Sequence, residues 1–164
     1  ELESGTQLLH YFAGPASAVL LLSGSGGYGF LATVECMVSR NKSGKAFLTV
    51  DEGASILPPR VVLAAQHQVA CLAADGRLLV FPLDELKLQP GGGKGLTLMD
   101  VDHKDPLVSV ASFGEQLKLL GQGRSAKAKE ETLRGAALAE HVGKRARKGR
   151  KCGGFVKLMR LAAD

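Results

Sequence analysis

The chain has 164 residues, 45% of them hydrophobic, and a formal net charge of +5. That is enough apolar side chain for a sizeable core. With no Trp, only Tyr11 and Tyr28, and no apolar run near the roughly 20 residues of a membrane helix, composition argues against aromatic stacking on a ligand and for a soluble domain. Cys36, Cys71 and Cys152 are far apart, odd in number and without C-x-x-C, which argues against a disulfide framework or a zinc site and for a reducing cytosol.

In chain order, short apolar or β-branched runs bounded by Gly, Pro, Asp or Asn predict strands over Val19–Leu22, Gly29–Val34, Ala46–Val50, Arg60–Ala64, Val69–Ala73, Arg77–Leu83, Leu96–Val101, Leu107–Ala111 and Gln116–Leu120. Asp75-Gly76 reads as a tight hairpin turn, and Ser25–Gly27 and Gly121–Gly123 hold equivalent turns. Pro58-Pro59 and Asp105-Pro106 interrupt the pattern between units. Lys127–Glu140, rich in Ala, Lys, Glu and Leu, has a helical alternative and stays undecided.

These runs repeat every 49 residues. Gly27 maps onto Gly76, Phe30 onto Leu79, Val34 onto Leu83, and Gly44-Lys45 onto Gly93-Lys94. A third copy follows 47 residues on, with Gly123-Arg124 on Gly76-Arg77, and it carries an insertion before the basic run. Self-similarity at this period marks propellers and other blade arrays, one small sheet per repeat.

Charge is divided unequally: residues 1–120 carry a net −3 and residues 121–164 a net +8. Lys144 to Lys151 places six cations in eight positions, either a solvated, loosely held arm or a reader of polyanions. Gly24–Gly29 satisfies G-x-G-x-x-G, but its copy at Ala73–Leu78 keeps the hairpin and not the glycines, which argues against a dinucleotide site. Asp100, Asp102, His103 and Asp105 do not recur in the other copies and read as exposed junction residues, not metal ligands. No catalytic constellation is present, and no cofactor is implied. The Gly-Lys loops Arg40–Lys45 and Gln89–Gly95 remain. Their glycines would leave amides free to meet phosphate oxygens, and their lysines would add point charges around a rim.

Gly27-Tyr28-Gly29-Phe30, the Ser39–Ala46 loop, Pro58-Pro59 and Asp75–Pro82 resemble the C-terminal domain of the A-type polypeptide of bacterial topoisomerase IV, over residues 5 to about 110 and more loosely afterwards. The resemblance implies an all-β pinwheel of four-stranded antiparallel blades that exchange strands. It implies no catalysis in this chain, which would be an accessory domain of an ATP-dependent type IIA topoisomerase that binds and bends DNA on a basic outer rim and so steers substrate choice. The family carries about five or six blades, so one partial domain over 1–164 is expected, with about three blades near 1–57, 58–105 and 106–164 in an open crescent. Gln89–Gly95 matches the gyrase box only at Gln89, Gly92, Gly93, Lys94 and Gly95, which favours topoisomerase IV over the equivalent gyrase domain.

The expected partners are duplex DNA, the rest of the A-type polypeptide, through it the B-type polypeptide of the enzyme, and a chromosome-organising protein, in the cytoplasm at the nucleoid and not at a membrane. Expected phosphate contacts are Arg40, Lys42, Lys45, Arg77, Lys94 and Arg124, with Lys144, Arg145, Arg147, Lys148, Arg150 and Lys151 from the basic run. The rival expectation is a protein-docking module, which would show an exposed apolar patch.

Overall fold

Turn residues between apolar runs set the first elements. Val19–Ser23 (β1) and Tyr28–Thr33 (β2) form a hairpin whose turn is closed by the Gly27 amide on the Gly24 carbonyl at 3.1 Å. The G-x-G-x-x-G run therefore opens a strand and not a helix. A four-residue helix, Val34–Met37 (α1), follows, and after a long loop Arg60–Val62 (β3) returns to pair with β1. The computed structural model describes residues 4–163.

The second hairpin, Gln68–Ala73 (β4) and Arg77–Pro82 (β5), turns at Asp75-Gly76 and leads through a loop to Leu96–Thr97 (β6) and Leu107–Phe113 (β7). The third is Leu117–Gln122 (β8) and Ala128–Leu133 (β9), followed by the short helix Gly135–Ala139 (α2), Arg150–Lys151 (β10) and Lys157–Ala163 (β11).

All strand pairs are antiparallel, and they make three sheets in the orders β3-β1-β2-β6, β10-β5-β4-β7 and β11-β8-β9. Each hairpin is flanked by strands from later in the chain: β6, which follows the second hairpin, completes the first sheet, and β10, which follows the third, completes the second. This is the all-β architecture of a β-pinwheel, with minimal helix.

The second sheet is apolar on both faces. Val69, Cys71, Ala73, Leu79 and Phe81 pack on Leu21 and Leu31 of the first sheet, while Ala70, Leu72, Leu78 and Val80 pack on Leu117, Leu119, Leu133 and Leu161 of the third. Burial on both faces explains why β4 and β5 read as continuous apolar runs instead of alternating ones. Each buried Leu here contributes on the order of 1.5–3 kcal/mol of transfer free energy. The outer face of the first sheet, with Leu20, Leu22 and Phe30, is covered by Phe47, Met37 and Leu48 from the α1 loop.

Two local expectations are corrected and one undecided segment is resolved. Ala46–Val50 is not a strand; Leu48 makes one isolated parallel bridge to Gly93. Its counterpart 49 residues on does become a strand, β6, because β2 lies beside it to pair with. Lys127–Glu140 divides into β9 and α2, since pairing with β8 overrides the helical propensity of Ala-Lys-Glu-Glu. Gly121 lies within β8, and the third turn falls at 123–127, closed by the Gly123 amide on the Lys127 carbonyl at 2.9 Å.

Candidate functional site

The basic run is not a loose arm. His141 to Cys152 is docked along the outer edge of β5: the Val80 amide donates to His141 O, Gly143 to Val80 O and Cys152 to Gly76 O at 2.8–2.9 Å, and Arg150 and Lys151 pair with Leu78 and Arg77. It also grips the first sheet's loop, because Ala146 N donates to Leu98 O and Asp100 N to Arg147 O. The expectation of loose geometry failed because the repeat register is lost in this segment, and its partner strand lies about 70 residues earlier, where no local signal points.

The Gln89–Gly95 loop faces inward more than its composition suggests, whereas Arg40–Lys45 is exposed throughout. The Gly93 amide donates to Phe47 O at 2.8 Å and the Gly92 amide to Gln89 O at 3.1 Å, so neither is free for a phosphate. Glycine is needed here for packing. Gly95 has φ +82°, and a Cβ there would run into the Gly29 carbonyl; Gly149, φ +73°, would place one 2.6 Å from Leu78 O. Both glycines let a fourth strand close against its neighbour sheet.

Through these bonds the segments 47–49, 93–100 and 145–151 form one continuous seam along the outer edges of the first two sheets, each touching the next. Of the expected cations, Lys94, Arg145, Arg147, Lys148, Arg150 and Lys151 lie on these segments, while Arg40, Lys42, Lys45, Arg77, Arg124 and Lys144 lie off them. Arg40, Lys42, Lys144, Arg147, Lys148, Arg150 and Lys151 are exposed, and their side chains make no ion pair among the described residues. Four others are engaged within the protein. Arg77 Nε bonds Asp75 at 2.7 Å, and its Nη1 donates to Lys148 O at 3.0 Å and Asp100 O at 3.3 Å. Arg145 donates from Nη1 to Thr97 O at 2.6 Å, and its amide donates to Glu85 at 2.9 Å. Lys94 pairs with Asp51 at 2.9 Å and lies 4.0 Å over the Tyr28 ring; the Asp51 carboxylate holds its ammonium above the usual range. Lys45 donates to Cys36 O at 3.1 Å and sits over Phe47. Arg77 and Arg145 thus act as clamps that position the seam.

Arg124 lies outside the seam, exposed in the β8–β9 turn beside Lys127, a cation that sequence reading passed over because it fell in the undecided segment. The junction acids do local work. Asp102 accepts from the amides of Lys104 and Asp105 at 2.9 and 3.0 Å, and those bonds hold its carboxyl below the usual range.

A second surface is apolar. Phe12, Ala18, Val61, Leu63, Leu83 and Leu88 line an open groove of about 780 Å³ beside the extended 4–15 segment, in which Tyr11 is 87% exposed. No helix of the described residues is long and apolar enough to cross a membrane.

No protein-family model matches the chain. It is 34% identical over 153 residues to the A-type polypeptide of DNA topoisomerase 4 from Neisseria gonorrhoeae, covering 90% of this chain and 20% of the relative, and 29% identical over 169 residues to that of Escherichia coli K12, covering 99% and 22%. The chain thus spans about a fifth of the length of these curated relatives. Among solved structures, the E. coli ParC C-terminal domain superposes with a TM-score of 0.84 at 26% identity, covering 98% of this chain and 66% of that one. A DNA gyrase A C-terminal domain superposes at 0.67 with 17% identity, a likeness of fold alone.

Proposed function

Since this chain is homologous to the C-terminal domain of the A-type polypeptide of topoisomerase IV in sequence and in fold, we propose that it binds duplex DNA along the basic seam, as an accessory element of a type IIA topoisomerase. The observation that carries the reading is the hydrogen bonding of the 141–152 segment to β5 and to Leu98 and Asp100 beside the first sheet, which holds the exposed Arg147, Lys148, Arg150 and Lys151 at fixed places. A loose arm would attract phosphates without directing them. Fixed cations define a path, and a path across a curved rim requires the duplex to bend. Arg40, Lys42, Lys144, Arg147, Lys148, Arg150 and Lys151 are the direct contacts, joined by Arg124 and Lys127 one sheet further on. Lys45 and Lys94 stay tied to the loops that present them. Bending steers the choice among DNA crossings, and catalysis belongs to other parts of the enzyme.

A salt titration of DNA affinity tests this. Each phosphate neutralised adds about 0.9 to the negative log–log slope. Changing Lys144, Arg147, Lys148, Arg150 and Lys151 to Gln is expected to flatten the slope by several units and to reduce bending in a ring-closure assay. Affinity that is indifferent to salt between about 50 and 200 mM would sink the reading.

The apolar groove supports a second contact, with the remainder of the A-type polypeptide. An open apolar surface of this kind is what a packed neighbour would cover, and the chain spans only two thirds of the ParC domain it superposes on.

A further inference from the structure

On the side of the sheets away from the seam, β7 lies against both β3 and β11, and the three border, with β8, a cleft of about 550 Å³. Its walls are mostly apolar, from Leu57, Val108, Val110, Leu120 and Met159. The polar side chains that line it are Arg60, Ser109 and Arg160, and all three can donate hydrogen bonds. Among the described residues no carboxylate lines the cleft and neither arginine makes an ion pair.

The repeat does not demand an arginine here. Strand registers pair Leu21 with Arg60, Ala70 with Ala111 and Leu119 with Leu161, and Leu21, Ala70 and Leu119 are themselves 49 residues apart. Equivalent places in the three sheets therefore hold Arg, Ala and Leu, and the packing of the other two copies is apolar. Arg60 is half-buried and locked, with Nε on Val110 O at 2.9 Å and Nη2 on Leu161 O at 2.6 Å. These bonds occupy two of its five N–H groups. Ser109 Oγ accepts the Leu161 amide at 3.0 Å and keeps its own proton to give. Burial and the nearby Arg160 both press against the Arg60 charge, yet a guanidinium stays protonated, so two like charges share the cleft without a counter-ion.

We propose that this cleft binds a carboxylate carrying an apolar group, its head between Arg60, Arg160 and Ser109 and its tail against Leu57, Val108, Leu120 and Met159. The anion supplies the missing charge and the tail covers the apolar wall. The same chemistry is offered by a free short-chain acid and by a protein chain terminus ending in an apolar residue. The site stands whether or not the seam binds DNA.

The test is an amide-resolved NMR titration of the whole chain with hexanoate, acetate, hexanol and acetyl-glycyl-leucine. Hexanoate is expected to shift the amides of Leu57, Arg60 and residues 108–110, 120–121 and 159–160, saturating at least about tenfold below acetate and hexanol. Arg160→Gln, at an exposed position, should keep the fold and weaken hexanoate about tenfold or more, as loss of a charge-assisted bond does. Tighter binding by acetyl-glycyl-leucine than by hexanoate upholds the site with a chain terminus as its source, and the reverse upholds it with a free acid. Equal binding of hexanol and hexanoate, an unchanged Arg160→Gln titration, or shifts confined to the seam would overturn the proposal.

Discussion

Arg77 shows how little exposure a side chain needs to matter to a surface. Only 16% of it meets solvent, but its fork joins Asp75 of the β4–β5 turn to the Lys148 carbonyl of the basic segment. Arg77→Ala is expected to cost about 1.5–3 kcal/mol in urea unfolding, the range for hydrogen bonds to charged groups. It should also weaken DNA binding without removing a contact cation. Arg77→Lys should not restore either property, because an ammonium cannot span the same partners in the plane of a fork. Cys71 reports on a different kind of residue. It is fully buried in the second sheet, and burial pushes its thiol well above the ordinary range. A thiol reagent at pH 8 is expected to modify half-buried Cys36 first and Cys71 only as the sheet opens, so that adding urea below the unfolding midpoint accelerates Cys71 selectively. Equal rates for the two would contradict the buried assignment.

At the scale of elements, sequence was a good guide wherever a strand's partner was its neighbour. Val69–Ala73 and Arg77–Leu83 were visible as apolar runs around Asp75-Gly76, and the observed β4 and β5 differ from them by a residue at the ends. It failed wherever the partner was distant. Ala46–Val50 and Leu96–Val101 look alike in pattern, but only the second has a strand edge beside it, and only two of its residues pair. In β9, Lys and Glu hid a strand whose outer edge faces solvent, where charge suits an unpaired edge. The candidate site was legible as a set of cations and illegible as an arrangement, since which of them turn inward depends on bonds between segments far apart in the chain. Gly149 tests the least legible element, β10. Gly149→Val would combine a disfavoured positive φ with a Cβ against Leu78 O, at a cost of about 1–3 kcal/mol from the backbone strain alone. Amide exchange at Gly143 and Cys152 should accelerate, while Gly153→Val, with open space around it, should leave both protected.

As a whole molecule, the chain exposes 10,014 Å², against about 7,800 Å² for a compact monomer of its mass. Part of that excess is the 4–15 segment and the apolar groove beside it, the face proposed to meet the rest of the A-type polypeptide. Leu63→Asp, at a 59% exposed position, is expected to leave the isolated chain's stability within about 0.5 kcal/mol, as surface changes do, and to weaken its association with the rest of that polypeptide in a sedimentation assay. Association unaffected by the charge would remove the groove from that contact. The seam has a consequence at this scale too. It is fastened to both the first and the second sheet, through Leu96 and Thr97 to Gly29 and Tyr28 on one side and through Cys152 to Gly76 on the other. Any twist of one sheet against the other must therefore lengthen or shorten the intervals between charges, as the jaws of a caliper open and close. A duplex with its own fixed phosphate intervals would resist that change, and by reciprocity the protein's resistance to twist would be felt by the duplex as a preferred curvature.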